Sequence, residues 1–201
     1  MAHAPHRAEP VRPRQTLPAP ERRAQILRAA AAAFSGGGFA ATSVDDVAKQ
    51  AGITKLIVYR HFDSKSDLYR QVLDQVAERL IEEWTTHSEV TLYRGAALKT
   101  LLVVARELPD GFRLFFVHAP REEAFAGYAA DFRRLQLQVA NRTILDPLPE
   151  GPRRRWVAAM MLDVLVSSIL EWLEVGDPDD DAEWLERTTA GLHAALAVWL
   201  A

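Results

Sequence analysis

The stretch Arg23–Leu68, RAQILRAAAAAFSGGGFAATSVDDVAKQAGITKLIVYRHFDSKSDL, decides how the rest of the chain reads. Ile26, Ala30, Ala33 and Phe34 recur at the spacing of one helical face, and the alanine run between them favours helix strongly. Gly36-Gly37-Gly38 stops that helix, because glycine tolerates the left-handed conformation of a C-cap. A second, short helix begins near Val44, with Ser43 as its cap and Asp46 as a variant capping-box partner. Val47, Ala48 and Ala51 form its apolar side, and Gly52 ends it. Thr54 caps a third helix from Lys55 to about Arg60, and Ser64 caps a fourth, again with an aspartate, Asp67, three residues on.

Helix 44–51, a turn at Gly52-Ile53 and helix 55–60 have the dimensions of a helix-turn-helix. The second helix of such a motif must be short, exposed and polar on one side to enter a major groove. Lys55, Tyr59 and Arg60 fall near one another on that surface, while Val58 and Phe62 face inward against Ile26, Phe34 and Val47. Lys65 stands in the first turn of the next helix, where its ammonium and the backbone N–H groups can meet one phosphate.

These residues carry a family resemblance. Phe34, Gly38-Phe39, Thr42-Ser43, Val47-Ala48, Ala51-Gly52-Ile53-Thr54, Tyr59, His61-Phe62 and Ser64-Lys65 resemble, in order and spacing, the DNA-binding domain of TetR-family (TetR/AcrR-like) transcriptional regulators. The resemblance covers about a quarter of the chain; the remainder matches in architecture alone. It implies a sequence-specific regulator, most simply a dimeric repressor that leaves its operator when a small hydrophobic ligand binds. Carried over position by position, it makes Thr42 a phosphate-binding hydroxyl and Ser43 a helix cap at the same mouth. Thr54 becomes both cap and phosphate contact. Lys55 is a base reader through guanine O6 and N7, or a phosphate contact. Tyr59 reaches backbone or base, His61 and Lys65 clamp the backbone, and Arg60 meets phosphate. Many family members carry glycine where this chain has Leu56; leucine blocks close backbone approach but can pack on a thymine methyl.

Outward from the motif, charge segregates. Residues 1–70 hold 11 Lys+Arg and 6 Asp+Glu, a balance of +5, within a chain of 201 residues and net charge −3. The rest therefore carries −8, so a polyanion should meet the front only. Residues 1–19, rich in proline and holding Arg7, Arg12 and Arg14, read as a disordered basic tail. Residues 20–66 read as the DNA-binding domain and 67–201 as a ligand-binding and dimerisation domain. The chain has no cysteine, which excludes disulfides and thiolate chemistry. There is no signal-peptide pattern and no unbroken apolar run of 18 residues, so a cytoplasmic protein without a membrane partner is expected.

The fold class is all-α, about nine helices in total. After the helix from Lys65 to about Thr85, further helices are expected near 90–108, 111–118, 121–145, 153–175 and 180–200. The last two are apolar nearly all round and need cover on more than one face. Trp156, Met160, Val164 and Trp172 from one, with Trp184, Leu192, Leu196 and Trp199 from the other, are candidates for a homodimer interface, as the family's four-helix dimer bundle implies. Two copies would read a pseudo-palindromic duplex with reading helices about 34 Å apart. The aromatic stretch Phe112, Phe115, Phe116, Phe125, Tyr128 and Phe132 can line a cavity for a small-molecule effector, or fill a core. Asp163 interrupts the apolar run Met160–Val166; buried there, it needs Ser167, an arginine across the interface or a cationic ligand.

Two other functions compete: a helical enzyme or ligand carrier with no specific DNA site, and nonspecific nucleoid binding. The six histidines (His3, His6, His61, His87, His118 and His193) show no metal spacing and no nucleophile partner, so no cofactor and no metal is expected.

Overall fold

The computed structural model describes residues 17–87, 95–143 and 149–200. Most of the N-terminal tail therefore lies outside the described residues. So do the start of the helix expected from residue 90 and residues 144–148, just after α7. The described chain is helical without strands. α1 spans Ala19–Ala41, α2 Val44–Gln50, α3 Lys55–Tyr59, α4 Lys65–His87, α5 Ala96–Glu107, α6 Pro109–Arg113, α7 Glu123–Thr143, α8 Pro152–Val175 and α9 Asp181–Leu200. The all-α architecture, with a helix-turn-helix head and a helical body, is as the sequence indicates.

Punctuation explains the boundaries. α1 runs past Gly36 and Gly37 and breaks only at Gly38, whose φ of 74° and ψ of 168° exclude a side chain at acceptable strain. Ser43 and Asp46 form the reciprocal capping box: the Asp46 N–H donates to Ser43 Oγ at 3.2 Å, and the Ser43 N–H donates to Asp46 Oδ2 at 2.8 Å. The Ser43 hydroxyl also donates to Asp46 Oδ2, at 2.6 Å, and that bond together with the Ser43 N–H holds the Asp46 carboxyl below the ordinary carboxylate range. Gly52, at φ 65°, makes the turn between α2 and α3. At the head of α4 the Asp67 N–H donates to Ser64 Oγ at 3.0 Å.

The head folds round α1. Ile26, Phe34, Val47, Val58 and Phe62 are all buried in one cluster, as their spacing predicts. That cluster does not stop at the head. It continues through Leu68, Tyr69 and Val72 of α4 into Phe112, Phe115 and Phe125 of the body. Tyr69 stacks on Phe125 with centroids 4.2 Å apart, and Phe39 meets both edge-on. Glu122, just before α7, accepts the Phe39 N–H at 2.9 Å and so ties the end of α1 to the body. Between α6 and α7 the chain widens to a π-turn over Leu114–His118, then tightens to a single 3₁₀ turn over Ala119–Arg121. Sequence periodicity predicts a plain helix for the π-turn.

The body packs α4, α5, α7 and α8 side by side, with α9 along one edge. At that edge Arg106 grips Asp181 through two bonds, at 2.8 and 3.1 Å, and the Trp172 Nε1–H donates to the same carboxylate at 2.6 Å. Arg106 and Trp172 together hold the Asp181 carboxyl below its ordinary range. Among the described residues α8 is also the helix long and apolar enough to cross a membrane by length and composition. A core helix covered on two sides passes the same test.

Candidate nucleic-acid interface

α3 stands on the front of the head. Val58 pins it from beneath, and Phe62 closes the end. Its outer side carries Lys55, Leu56, Tyr59 and Arg60, all exposed; Leu56 is 64% and Tyr59 46% accessible. A large apolar side chain kept bare on a five-residue helix gains nothing for folding, since it leaves apolar surface in water. Thr54 sits at the N-cap in extended backbone, and its carbonyl accepts from the Ile57 and Val58 N–H groups. The expected side-chain cap is absent: the Thr54 hydroxyl makes no capping bond, because the 3₁₀-like first turn is closed by backbone alone. Thr54 is exposed beside Lys55.

Three other positions make contacts within the chain that the motif does not announce. Thr42 is buried, and its hydroxyl donates to the Ala33 carbonyl at 3.2 Å, so it braces the bend after Gly38 and offers no proton outward. Lys65 lies over the Phe39 ring, 4.2 Å from the centroid, and donates to the Phe39 carbonyl at 2.6 Å. Its ammonium thus satisfies an orphan carbonyl at the end of α1 where a phosphate contact is expected. Lys55 is paired with Asp45 at 2.6 Å, which raises the lysine above its ordinary range. Asp45 is a residue that reading by motif misses. The available signal is its exposed place in the first turn of α2 while Asp46 alone serves the cap. His61 is half-buried and tilts against Phe62, with Arg60 exposed beside it.

Behind the head, the aromatic stretch mostly fills space. Phe112, Phe115 and Phe125 are buried; Phe116 packs on Phe112 and Phe115, and Tyr128 lies edge-on to Phe115. The Tyr128 hydroxyl donates to Asp74 at 2.7 Å, and Arg70 covers its ring at 3.8 Å. Of the six, only Phe132 borders the apolar cavity of about 320 Å³ in the body. The other walls include Leu80, Ile81 and Trp84 from α4, Thr100 and Leu101 from α5, Leu135, Gln136 and Val139 from α7, and Met161, Leu162 and Leu165 from α8, with alanines between them. The spacing of Leu80 and Trp84, and of Phe132, Leu135, Gln136 and Val139, is visible in the sequence as ordinary helical stripes. Nothing in such a stripe tells a void from a filled core.

Asp163 is exposed, and it pairs with Arg133 of its own chain through two bonds of 2.7 and 3.1 Å. The expected buried carboxylate is therefore corrected, and Asp163 and Ser167 both lie outside the cavity. An apolar run of that length wraps a helix completely, and Asp163 lies on a side that the chain itself leaves uncovered.

The eight residues expected at a dimer interface divide. Trp156 and Val164 are exposed, Met160 and Trp199 half-buried, and Trp199 tilts onto Trp156 at 4.9 Å. Leu196 is buried in the chain's own second cluster with Val157 and Ala158. Trp172 and Trp184 stack at 5.1 Å beside Asp181, and Leu192 packs on the main core. Among the described residues, no group of three or more His, Asp or Glu is placed to hold a metal ion.

The fold and its exposed α3 define a class: a helix-turn-helix regulator built on a helical body. The family model for bacterial regulatory proteins of the tetR family matches residues 26–72. The transcriptional repressor KstR2 of Rhodococcus jostii is 33% identical over 156 residues, covering 77% of this chain and 71% of the relative. The transcriptional activator FasR of Mycolicibacterium smegmatis is 29% identical over 191 residues, 86% of this chain and 81% of that one. Among solved structures, a TetR-like transcriptional regulator from Rhodococcus sp. RHA1 superposes with a TM-score of 0.74 at 21% identity, over 90% of this chain and 99% of that one. The chain belongs to the TetR family: it is a DNA-binding transcriptional regulator.

Proposed function

We propose that this protein is a cytoplasmic homodimeric repressor, with residues 20–66 reading DNA and 67–201 binding a ligand and the second copy. The observation that carries the reading is the bare outer side of α3, where Lys55, Leu56 and Tyr59 project with no fold-stabilising work to do. Lys55, Leu56 and Tyr59 meet base edges; Ser43, Thr54, Arg60 and His61 meet phosphate. Thr42 and Lys65 act behind them by holding the end of α1. A pseudo-palindromic operator follows from two copies related by a two-fold axis. The exposed sides of α8 and α9, with Trp156, Val164 and Val198, supply the surface that joins them.

The effector enters the apolar cavity. Among the described residues its walls bear no charged side chain, and Thr100 and Gln136 are the polar ones. The buried part of the ligand is therefore uncharged and apolar, with at most one or two hydrogen-bonding groups. α4 forms one wall, follows α3 directly in the chain and packs along α1 of the head, so a ligand that displaces α4 changes the spacing of the two reading helices.

The test starts with selection of bound duplexes from a random pool by the full chain. An inverted repeat is expected, and Lys55→Ala or Tyr59→Ala should weaken its binding about tenfold or more while the dimer persists. Unchanged affinity for the selected duplex would overturn the assignment of α3. A series of straight-chain alcohols should raise the melting temperature and release the duplex, and Met161→Trp, which fills the cavity, should abolish both effects. A reporter placed behind the selected repeat gives the direction of control. Lower expression on adding the protein is the expected result; a rise would make it an activator, as FasR is named.

A further inference from the structure

Asp45 is out of place on a surface meant for a polyanion. The head carries a cationic excess, yet a carboxylate stands on the reading side, 63% accessible, beside the lysine best placed to reach a base. It is not there to cap α2, because Asp46 performs both halves of the capping box with Ser43. It reaches instead from the first turn of α2 to the first residue of α3, where its Oδ2 lies 2.6 Å from Lys55 Nζ.

We propose that Asp45 is a specificity-determining residue: with Lys55 it presents a donor–acceptor couple complementary to the major-groove edge of a G·C pair, and it weakens binding to duplexes that lack that pair. The inference rests on the reading of α3 given above.

The chemistry is as follows. In the major groove guanine offers two acceptors, O6 and N7, and cytosine offers the N4 amino donor. After pairing, one N4 hydrogen still points into the groove. O6 and N4 are themselves hydrogen-bonded, so they lie about 2.9 Å apart. The ammonium and carboxylate oxygen are held at nearly that separation already. The couple can dock side by side on the pair, lysine donating to O6 and N7 and aspartate accepting from N4–H, without the ion pair being broken. With adenine in guanine's place the central donor and acceptor are reversed; with thymine there O4 replaces O6, but a methyl group stands where the lysine's second acceptor, N7, was.

Against a duplex with the wrong base pair the same carboxylate acts differently. It faces phosphates with no donor to meet, and it keeps Lys55 partly neutralised. One counterion fewer is then released on binding. Asp45 thus lowers affinity for random sequence while adding a contact at the right one.

Asp45→Asn tests this in the full chain, since the α2 cap rests on Asp46 and the substitution leaves the fold intact. Two probes are used: a random-sequence duplex, and the inverted repeat selected by the wild-type protein. For the random duplex, Asp45→Asn should bind several-fold tighter, and the slope of log affinity against log salt should steepen by about 0.9, one phosphate's worth. A fresh selection with Asp45→Asn should recover the same repeat with one G·C position relaxed in each half-site. The inference is overturned if the random-duplex affinity, its salt slope and the selected sequence all match the wild type, or if both duplexes gain affinity equally. Should Lys55→Ala bind the wild-type repeat unchanged, the α3 assignment itself falls and the inference falls with it. The two failures are thereby told apart.

Discussion

The head and the body of this molecule are built from the same element and differ in how tightly sequence constrains them. In the reading part of the head, α2 and α3 are short and leave no slack. α3 has five residues, one of which, Val58, is buried, so every outward position is left for something other than folding. In the body, helices of 12 to 24 residues bury one stripe and leave the rest to packing partners, a cavity or a second copy. A short element declares its function through what it fails to bury. A long one does not, because its apolar surplus has several uses.

The contrast would break at the joint, where the two regions share one core. Phe125→Ala should cost about 3–5 kcal/mol, the range for emptying a fully packed phenylalanine site. Phe125 stacks on Tyr69 and abuts Phe39. Head and body should therefore lose structure in a single transition, as followed by probes in each. Two separate transitions would show that the regions are independent after all.

Tyr69→Phe sharpens the comparison in the opposite direction. The Tyr69 hydroxyl is buried at the joint without a hydrogen-bond partner, and burial there, with Glu122 nearby, pushes its ionisation well above the ordinary tyrosine range. Deleting the orphan hydroxyl should raise stability by about 1 kcal/mol, read as a higher melting temperature. The ionisation gives a second readout. With the folded pKa above the unfolded one, tyrosine contributes its full stability below pH of about 10 and loses it as pH rises further. Tyr128, pushed up to about 12 by burial and by its bond to Asp74, adds to that loss. Tyr69→Phe should therefore blunt the fall in stability between about pH 10 and 12. A lower melting temperature would mean that the hydroxyl is satisfied in solution.

The smallest effect belongs to the body's surface. Asp163→Asn removes an exposed pair with Arg133 and should change stability by less than about 0.5 kcal/mol. A larger loss would show that the carboxylate is covered, for instance by the second copy, and would restore the sequence-based expectation for that residue.

Much of this is legible in the amino-acid sequence. Ser43, Gly52 and Ser64 mark where α2 begins, where it ends and where α4 begins, because caps and turns depend on backbone chemistry local to a few residues. Three things are not. Lys65 and Thr42 turn inward because the bend after Gly38 leaves carbonyls at Phe39 and Ala33 to satisfy, and no pattern announces that bend's geometry. The cavity is invisible because Phe132 and Phe115 are equally apolar and only one borders empty space. The exposure of Asp163 within its own chain is hidden in the sequence because hydrophobicity on all sides of α8 conceals which side its neighbours cover.

The tether from Glu122 to the Phe39 N–H, with Tyr69 wedged against Phe125 alongside it, bears on how such regulators can be re-engineered. A graft that swaps one protein's reading module onto another's sensor at residue 66 would cut through α4 and strand half of an aromatic nest on each side. A working hybrid needs its seam drawn so that Phe39, Tyr69, Glu122 and Phe125 all come from the same parent, even though that line crosses the chain in several places.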